Sequence, residues 1–258
     1  FIKAIKVTMI GQFFNVVTPF ASGGQPAQLY TMFKQKVNLG CAGSILMIKF
    51  IVYQSILTFY SFLLIIWKSS FFEKRMDNFF YLIFVGFIVN VSVIGLLYIF
   101  TRYKRLKEVI LIGGLKLLKK IKIIKDYKKK EEKINHHLTR FHDNLEILKN
   151  NRLLLIKSVI YTFLQLTFFF SVPFFVYRAF ALNGADFLNI ISANAFVLMI
   201  TSFVPIPGAS GGAEISFYYF FNLFFMKSHI LLAIFLWRSI TYYSGMIVGS
   251  IYLFDWNN

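Results

Sequence analysis

The chain has 258 residues, 57% of them hydrophobic and 15% charged, with 33 Phe and 14 Tyr. A soluble globule could not bury that much apolar surface, which leaves an integral membrane protein. The net charge of +17 does not argue for a nucleic-acid partner, because it is concentrated between Thr101 and Arg152, where 16 Lys or Arg stand against 6 Asp or Glu between two apolar spans.

Phe1 stands where a Met would open a chain, and the residues after it are already apolar. The expectation is a start within a longer protein, with at least one helix upstream and no cleavable leader in view. Phe1 to Val17 is a short apolar segment that ends at TPFASGGQP, Thr18 to Pro26. There Ser22 and Gln25 have the spacing of a capping box, and Pro26 is tolerated near a helix start. Cys41 is the single cysteine, so no internal disulfide forms. Ser44 to Trp67 and Phe79 to Phe100 are continuous apolar runs of the length, about 20 residues, that crosses roughly 30 Å of hydrocarbon.

The basic stretch that follows reads as a cytoplasmic loop and as a surface for anionic headgroups. Within it LKLLKKIKIIKDYKKK has the character of a helix lying on the membrane surface. Ile134, Leu138, Phe141, Leu145 and Leu148 recur at helical spacing and form one apolar stripe. His136, His137 and His142 lack the Cys or carboxylate company of a metal site, and no metal or cofactor is read from the chain.

After the loop, Leu153 to Tyr177 is a further span, Phe187 to Val204 a shorter segment, and His229 to Phe254 the last span. Between the latter two lies IPGASGGAE, Ile206 to Glu214, which repeats Pro-x-Ala-Ser-Gly-Gly 188 positions after its first copy. The apolar run behind it, Glu214 to Met226, would cover only about 20 Å as a helix, too little to cross. Either Pro205 to Gly212 is a break inside the bilayer, where irregular backbone survives only against protein or a cavity, or the membrane is locally thinned. By the span count both copies follow helices running toward the cytoplasm, which favours a parallel repeat or a re-entrant hairpin over an inverted repeat.

Two charges stand where charge is costly: Glu214 and Arg238. Measured from the turn between them their depths are about 20 and 14 Å, so they are expected to pair or to face one polar cavity. The pair could lock the fold, with Glu214 capping its helix, or could handle a lipid headgroup or a coupling proton. Gly208, Ser210, Gly211 and Gly212, with Ser22, Gly23 and Gly24 in the first copy, present helix-start amides that a phosphate can approach closely.

NVVTPFASGGQPAQLY, VPIPGASGGAE and WRSITYYSGMIVG together resemble the lysylphosphatidylglycerol synthase transmembrane-region family, which includes the flippase part of the bacterial multiple peptide resistance factor. The resemblance runs from Gly11 to Gly249, and its most specific element is the proline-glycine-glycine-glutamate pattern. It implies a multi-pass protein of the bacterial plasma membrane that handles phospholipid, in a short form without the soluble synthase domain. Carried over, the family's conserved groups fall on Thr18, Pro19, Gly23, Gly24 and Gln25, on Pro205, Pro207, Gly208, Gly211 and Glu214, and on Arg238 with Tyr242 or Tyr243. Many relatives have an acidic and a basic residue where this chain has Gln25 and Gln28, which would alter headgroup selection.

The resulting expectation is an all-α integral membrane bundle of about six to eight spans, with broken or re-entrant helices and an internal repeat. Residues 1–100 and 153–258 form two membrane halves around the basic loop 101–152. The leading function is binding and translocation of a lysyl-phosphatidylglycerol-like or other anionic lipid. The alternatives are the membrane subunit of a phosphatidylglycerol lysyltransferase, a label that the family name would confer, and a structural partner of a cell-envelope enzyme. Phospholipid, a separate synthase or envelope enzyme, and a second copy of the chain are the candidate partners.

Overall fold

The computed structural model describes residues 1–77, 79–102, 143–144, 146–147, 150–202 and 204–254. The surface helix, the apolar stripe and the three histidines of the basic loop lie outside the described residues. Among the described residues the fold is wholly helical: α1 (Ile2–Val17), α2 (Gly24–Lys34), α3 (Leu39–Glu73), α4 (Phe79–Arg102), α5 (Arg152–Ala179), α6 (Phe187–Thr201), α7 (Gly212–Phe221) and α8 (Ile230–Phe254). Three of these, α3, α5 and α8, are long and apolar enough to cross a membrane.

Local chemistry sets several boundaries. Asn38 caps α3 by accepting from the Gly40 amide (2.9 Å), and Asn151 caps α5 by accepting from the Leu154 amide (3.0 Å). The caps extend both helices beyond their apolar runs, since a satisfied first turn lets polar residues join the helix. Inside α5, Pro173 has no N–H for the Phe169 carbonyl four residues earlier. Asn194 of α6 supplies the missing donor through Nδ2 (3.2 Å), so a break in one helix becomes a tie to its neighbour.

Alternation of short and long helices organises the bundle. In the first half a 16-residue helix, a break, an 11-residue helix and a 35-residue helix follow one another. The second half repeats this order with 15 and 10 residues before the 25-residue α8. The short arms α2 and α7 reach only about 15–17 Å. Each therefore folds back on its predecessor: α1 packs on α2 and α6 on α7, and Gln35 Nε2 donates to the Lys3 carbonyl (3.2 Å), closing the open end of the first hairpin.

The two hairpins enter from opposite ends of the bundle. The first opens beside the start of α3, at Lys3 and Gln35. The second opens beside the end of α3, where Lys68 meets Asp186 (2.8 Å), Phe71 stacks on Phe224 (6.0 Å) and the Tyr219 hydroxyl donates to the Asp77 carbonyl. Of the two arrangements the span count left open, the parallel repeat is overturned and the re-entrant hairpin is the one observed. A segment that returns to its own side reverses the parity of every later count, and the arrangement is an inverted one.

The core lies between α3, α4 and the second half. Phe72, Phe170, Phe196, Phe217, Phe220 and Phe221 are fully buried, with Phe217 stacked on Phe221 (3.9 Å) and tilted on Trp237 (4.7 Å). That packing ends α7 at Phe221, five residues before the end of the apolar run Glu214 to Met226. Phe221 accepts from the amides of Phe224 and Phe225 as the chain turns, and Phe225 swings back into the core. Gln54 Nε2 donates to Asn90 Oδ1 (2.6 Å) between α3 and α4, pairing two amides that would be costly alone in lipid.

Candidate functional site

The doubled phrase is a doubled backbone conformation. Thr18 and Ile206 are both extended, at φ/ψ of −114/146 and −110/143. Each is followed by a proline that opens a single 3₁₀ turn, Pro19–Ala21 and Pro207–Ala209. Phe20 (φ 53) matches Gly208 (φ 60), and Ala21 matches Ala209, both at φ 51. Ser22 Oγ donates to the Pro19 carbonyl (2.8 Å) and Ser210 Oγ to the Pro207 carbonyl (3.0 Å). The two turns pack against each other, so the hairpin tips meet.

Beyond the serines the copies diverge, and the expected Ser22–Gln25 capping box does not form. Ser22 is already helical (φ −75, ψ −22) and its hydroxyl is held by Pro19, whereas an N-cap side chain needs extended backbone to reach forward. Thr18 takes the task instead: Oγ1 accepts from the Gly23 amide (2.8 Å) and donates to the Phe14 carbonyl (2.6 Å). Gly23 and Gly24 are small for packing, since a Cβ on Gly24 would fall 1.9 Å from Asn15 Oδ1. Gln25 is exposed, and Gln28 is buried against Gly11. In the second copy Gly211 has φ 82 and open space around it, and Gly212 sits tightly under Val204.

Glu214 and Arg238 meet, as their depths predicted. Arg238 Nε donates to Glu214 Oε1 at 2.7 Å, and the other carboxylate oxygen, Oε2, accepts from the Gly211 amide at 2.7 Å. Arg238 Nη1 donates to the Gly208 carbonyl (3.1 Å). Its Nη2 is buried without a hydrogen-bond partner among the described residues, while the guanidinium lies 5.2 Å from the Trp237 ring and 5.0 Å from that of Tyr242. Arg238 is 8% exposed and the Glu214 side chain 35%, so the anion can be reached and the cation is held inside.

A π-helical turn, Ser239–Tyr243, follows Arg238 directly. Such turns insert a residue and re-aim side chains. Here Tyr242 comes to lie over Gly208, where a Cβ would sit 2.0 Å from its ring, and its hydroxyl donates to the Val16 carbonyl of α1 (3.4 Å). One tyrosine thus touches both hairpins. Tyr243 contacts Tyr242 edge-on (5.0 Å) and is itself exposed. Pro19, Pro205, Pro207 and Ser210 are exposed at the tips.

Of the helix-start amides, those of Gly23 and Gly211 already have partners within the protein, while Arg238 Nη2 has none among the described residues. Trp237 and the Val16 carbonyl were not legible as site groups. Nothing in a run of apolar residues announces a π turn or a contact more than 200 positions away.

The model of the lysylphosphatidylglycerol synthase transmembrane region matches residues 1–249. The chain belongs to this family. Among curated relatives of this family member are an uncharacterised protein of Mycoplasma pneumoniae, a homologue of MG306, 26% identical over 95% of this chain and 66% of its own length, and a UPF0104 membrane protein of Archaeoglobus fulgidus, 25% identical over 97% of this chain and 75% of its own. The chain thus spans about two thirds to three quarters of the relatives it matches. No solved structure matches it.

Proposed function

We propose that the protein binds an anionic or aminoacylated phospholipid where the hairpin tips meet and moves its headgroup between leaflets. The observation that carries this reading is the arrangement of two broken hairpins, entering from opposite ends and touching beside Arg238. Inverted repeats with discontinuous helices are the architecture of alternating access around a midplane site. Arg238 Nη2 would take the lipid phosphate, a charge-assisted contact that compensates its burial. Glu214, partly open, would take an ammonium on the headgroup, so that substrate exchanges with the internal ion pair rather than adding charge to it. The basic segment 101–152 joins the end of α4 to the start of α5, and by the positive-inside rule the side on which those ends lie would be cytoplasmic.

The test is reconstitution into vesicles with fluorescent lysyl-phosphatidylglycerol and a membrane-impermeant quencher. Quenching of the inner-leaflet pool faster than in empty vesicles, and its loss in Glu214→Gln, is the expected result. No movement above empty vesicles by the wild type sinks the proposal. Transfer of labelled lysine from charged tRNA to lipid by the same preparation would instead establish the lysyltransferase-subunit reading.

A further inference from the structure

Arg238 Nη2 is enclosed as well as unpartnered among the described residues. A ligand reaches it only after the guanidinium moves, and Glu214 Oε1 (2.7 Å) and the Gly208 carbonyl (3.1 Å) hold it in place. Glu214 is the open half of the pair, with 35% of its side chain exposed against 9% for Arg238. The lock is therefore reached from outside through the carboxylate, which must lose its charge before the guanidinium can leave it without separating two opposite charges in a low dielectric.

Among the described residues no other group at the junction can take over the part of the carboxylate. α6 and α8 pack on α7; α6 has no titratable side chain, and α7 and α8 add only tyrosines to the pair. Residues 10–26, with the first tip, and 204–213, with the second, have none. Tyr242, whose ring lies 5.0 Å from the guanidinium, donates its hydroxyl proton to the Val16 carbonyl, and a tyrosine ionises only at about pH 10. A neutral Glu214 would thus leave a buried arginine charge without a counter-ion, a costly state until an anion arrives.

We infer that Glu214 binds a coupling proton, taken up from water together with an anionic headgroup at Arg238. The proton neutralises the carboxylate, the guanidinium swings free, and the headgroup phosphate replaces Glu214 as its counter-ion, so the junction stays neutral throughout. The linkage is reciprocal: the anion raises the proton affinity by the same factor by which the proton raises that of the anion. A headgroup with its own ammonium supplies the neutralising charge itself and needs no proton. This inference rests on the proposed binding of phospholipid at Arg238 and adds the ion that accompanies it.

The test titrates the purified full chain in maltoside micelles with short-chain phosphatidylglycerol and with its lysyl ester between pH 4.5 and 6.5, by calorimetry in two buffers of different ionisation enthalpy. Phosphatidylglycerol should bind with uptake of at least about half a proton per lipid at the maximum, and its affinity should fall at least about three-fold per pH unit there. The lysyl ester should bind at the same pH with no proton uptake. In Glu214→Gln, which mimics the protonated carboxyl, phosphatidylglycerol should bind with neither uptake nor pH dependence; if that variant does not fold, the two lipids on the wild type decide alone. Binding of phosphatidylglycerol without a proton, equal uptake with both lipids, uptake that persists in Glu214→Gln, or no binding of phosphatidylglycerol overturns the inference. A wild type that moves lipid in the vesicle assay but binds phosphatidylglycerol without a proton keeps the proposed function and loses this inference. One that takes up the proton but moves no lipid does the reverse.

Discussion

Gly208→Ala tests whether the hairpin tip and α8 are in contact as described. Gly208 has φ +60, where an L-residue costs about 1–2 kcal/mol. Its new methyl would also fall 2.0 Å from Tyr242 Cε2 and 2.5 Å from Cζ. The ring cannot swing away freely, because Arg238 lies against it and its hydroxyl is bound to Val16; overpacking of this kind costs about 1–3 kcal/mol. The sum is about 2–5 kcal/mol, which at about 2–4 °C per kcal/mol for a chain of this size lowers Tm by some 4–20 °C. Thermal unfolding in detergent at fixed scan rate, followed by tryptophan fluorescence, measures it. In a Tyr242→Ala background only the backbone strain should remain, about 1–2 kcal/mol. Equal losses in the two backgrounds would refute the contact.

Gly245 and Gly249 lie one turn apart on α8 and should respond oppositely to alanine. Nothing lies within 4 Å of a Cβ on Gly245, whereas one on Gly249 meets the Met9 carbonyl at 2.6 Å. Gly245→Ala should therefore gain up to about 1 kcal/mol of helix propensity and Gly249→Ala should lose about 1–3 by separating α1 from α8, as read by Tm. Thr18→Val removes the acceptor of the Gly23 amide and should cost about 1–2 kcal/mol, while Thr18→Ser should recover most of it. The hydrogen bond from Lys68 holds the Asp186 carboxyl below its usual value. A depressed folded pKa contributes stability that is present above the unfolded value of about 3.9 and is lost as pH falls through the folded one. Asp186 is half exposed, so the contribution is under about 1 kcal/mol. The Tm gap between wild type and Asp186→Asn should be small at pH 7 and shrink further toward pH 3; a gap that widens in acid contradicts the assignment.

The residues themselves determined the membrane class, the breaks at both Gly-Gly motifs and the meeting of Glu214 with Arg238. These follow from quantities that add along the chain: apolar length, rise per residue, and the cost of charge in lipid. The family resemblance rested on the same motifs, and the match over residues 1–249 agrees with it. Sequence reasoning erred where a result depended on closure in space. It could not know that α7 would stop at Phe221, because the contacts of Phe217 with Trp237 and of Phe225 with Tyr177 and Phe180, on other helices, are tertiary. It assigned the first cap to Ser22, because spacing does not report which side chain has the extended backbone a cap needs. Only the tertiary structure decided the direction of the two hairpins. Hydropathy records that a segment is apolar and short, but whether it crosses or returns depends on what it packs against. Once each short helix folds back on its predecessor, the hairpins point at each other from opposite ends. The two copies of Pro-x-Ala-Ser-Gly-Gly, 188 residues apart, then become one junction.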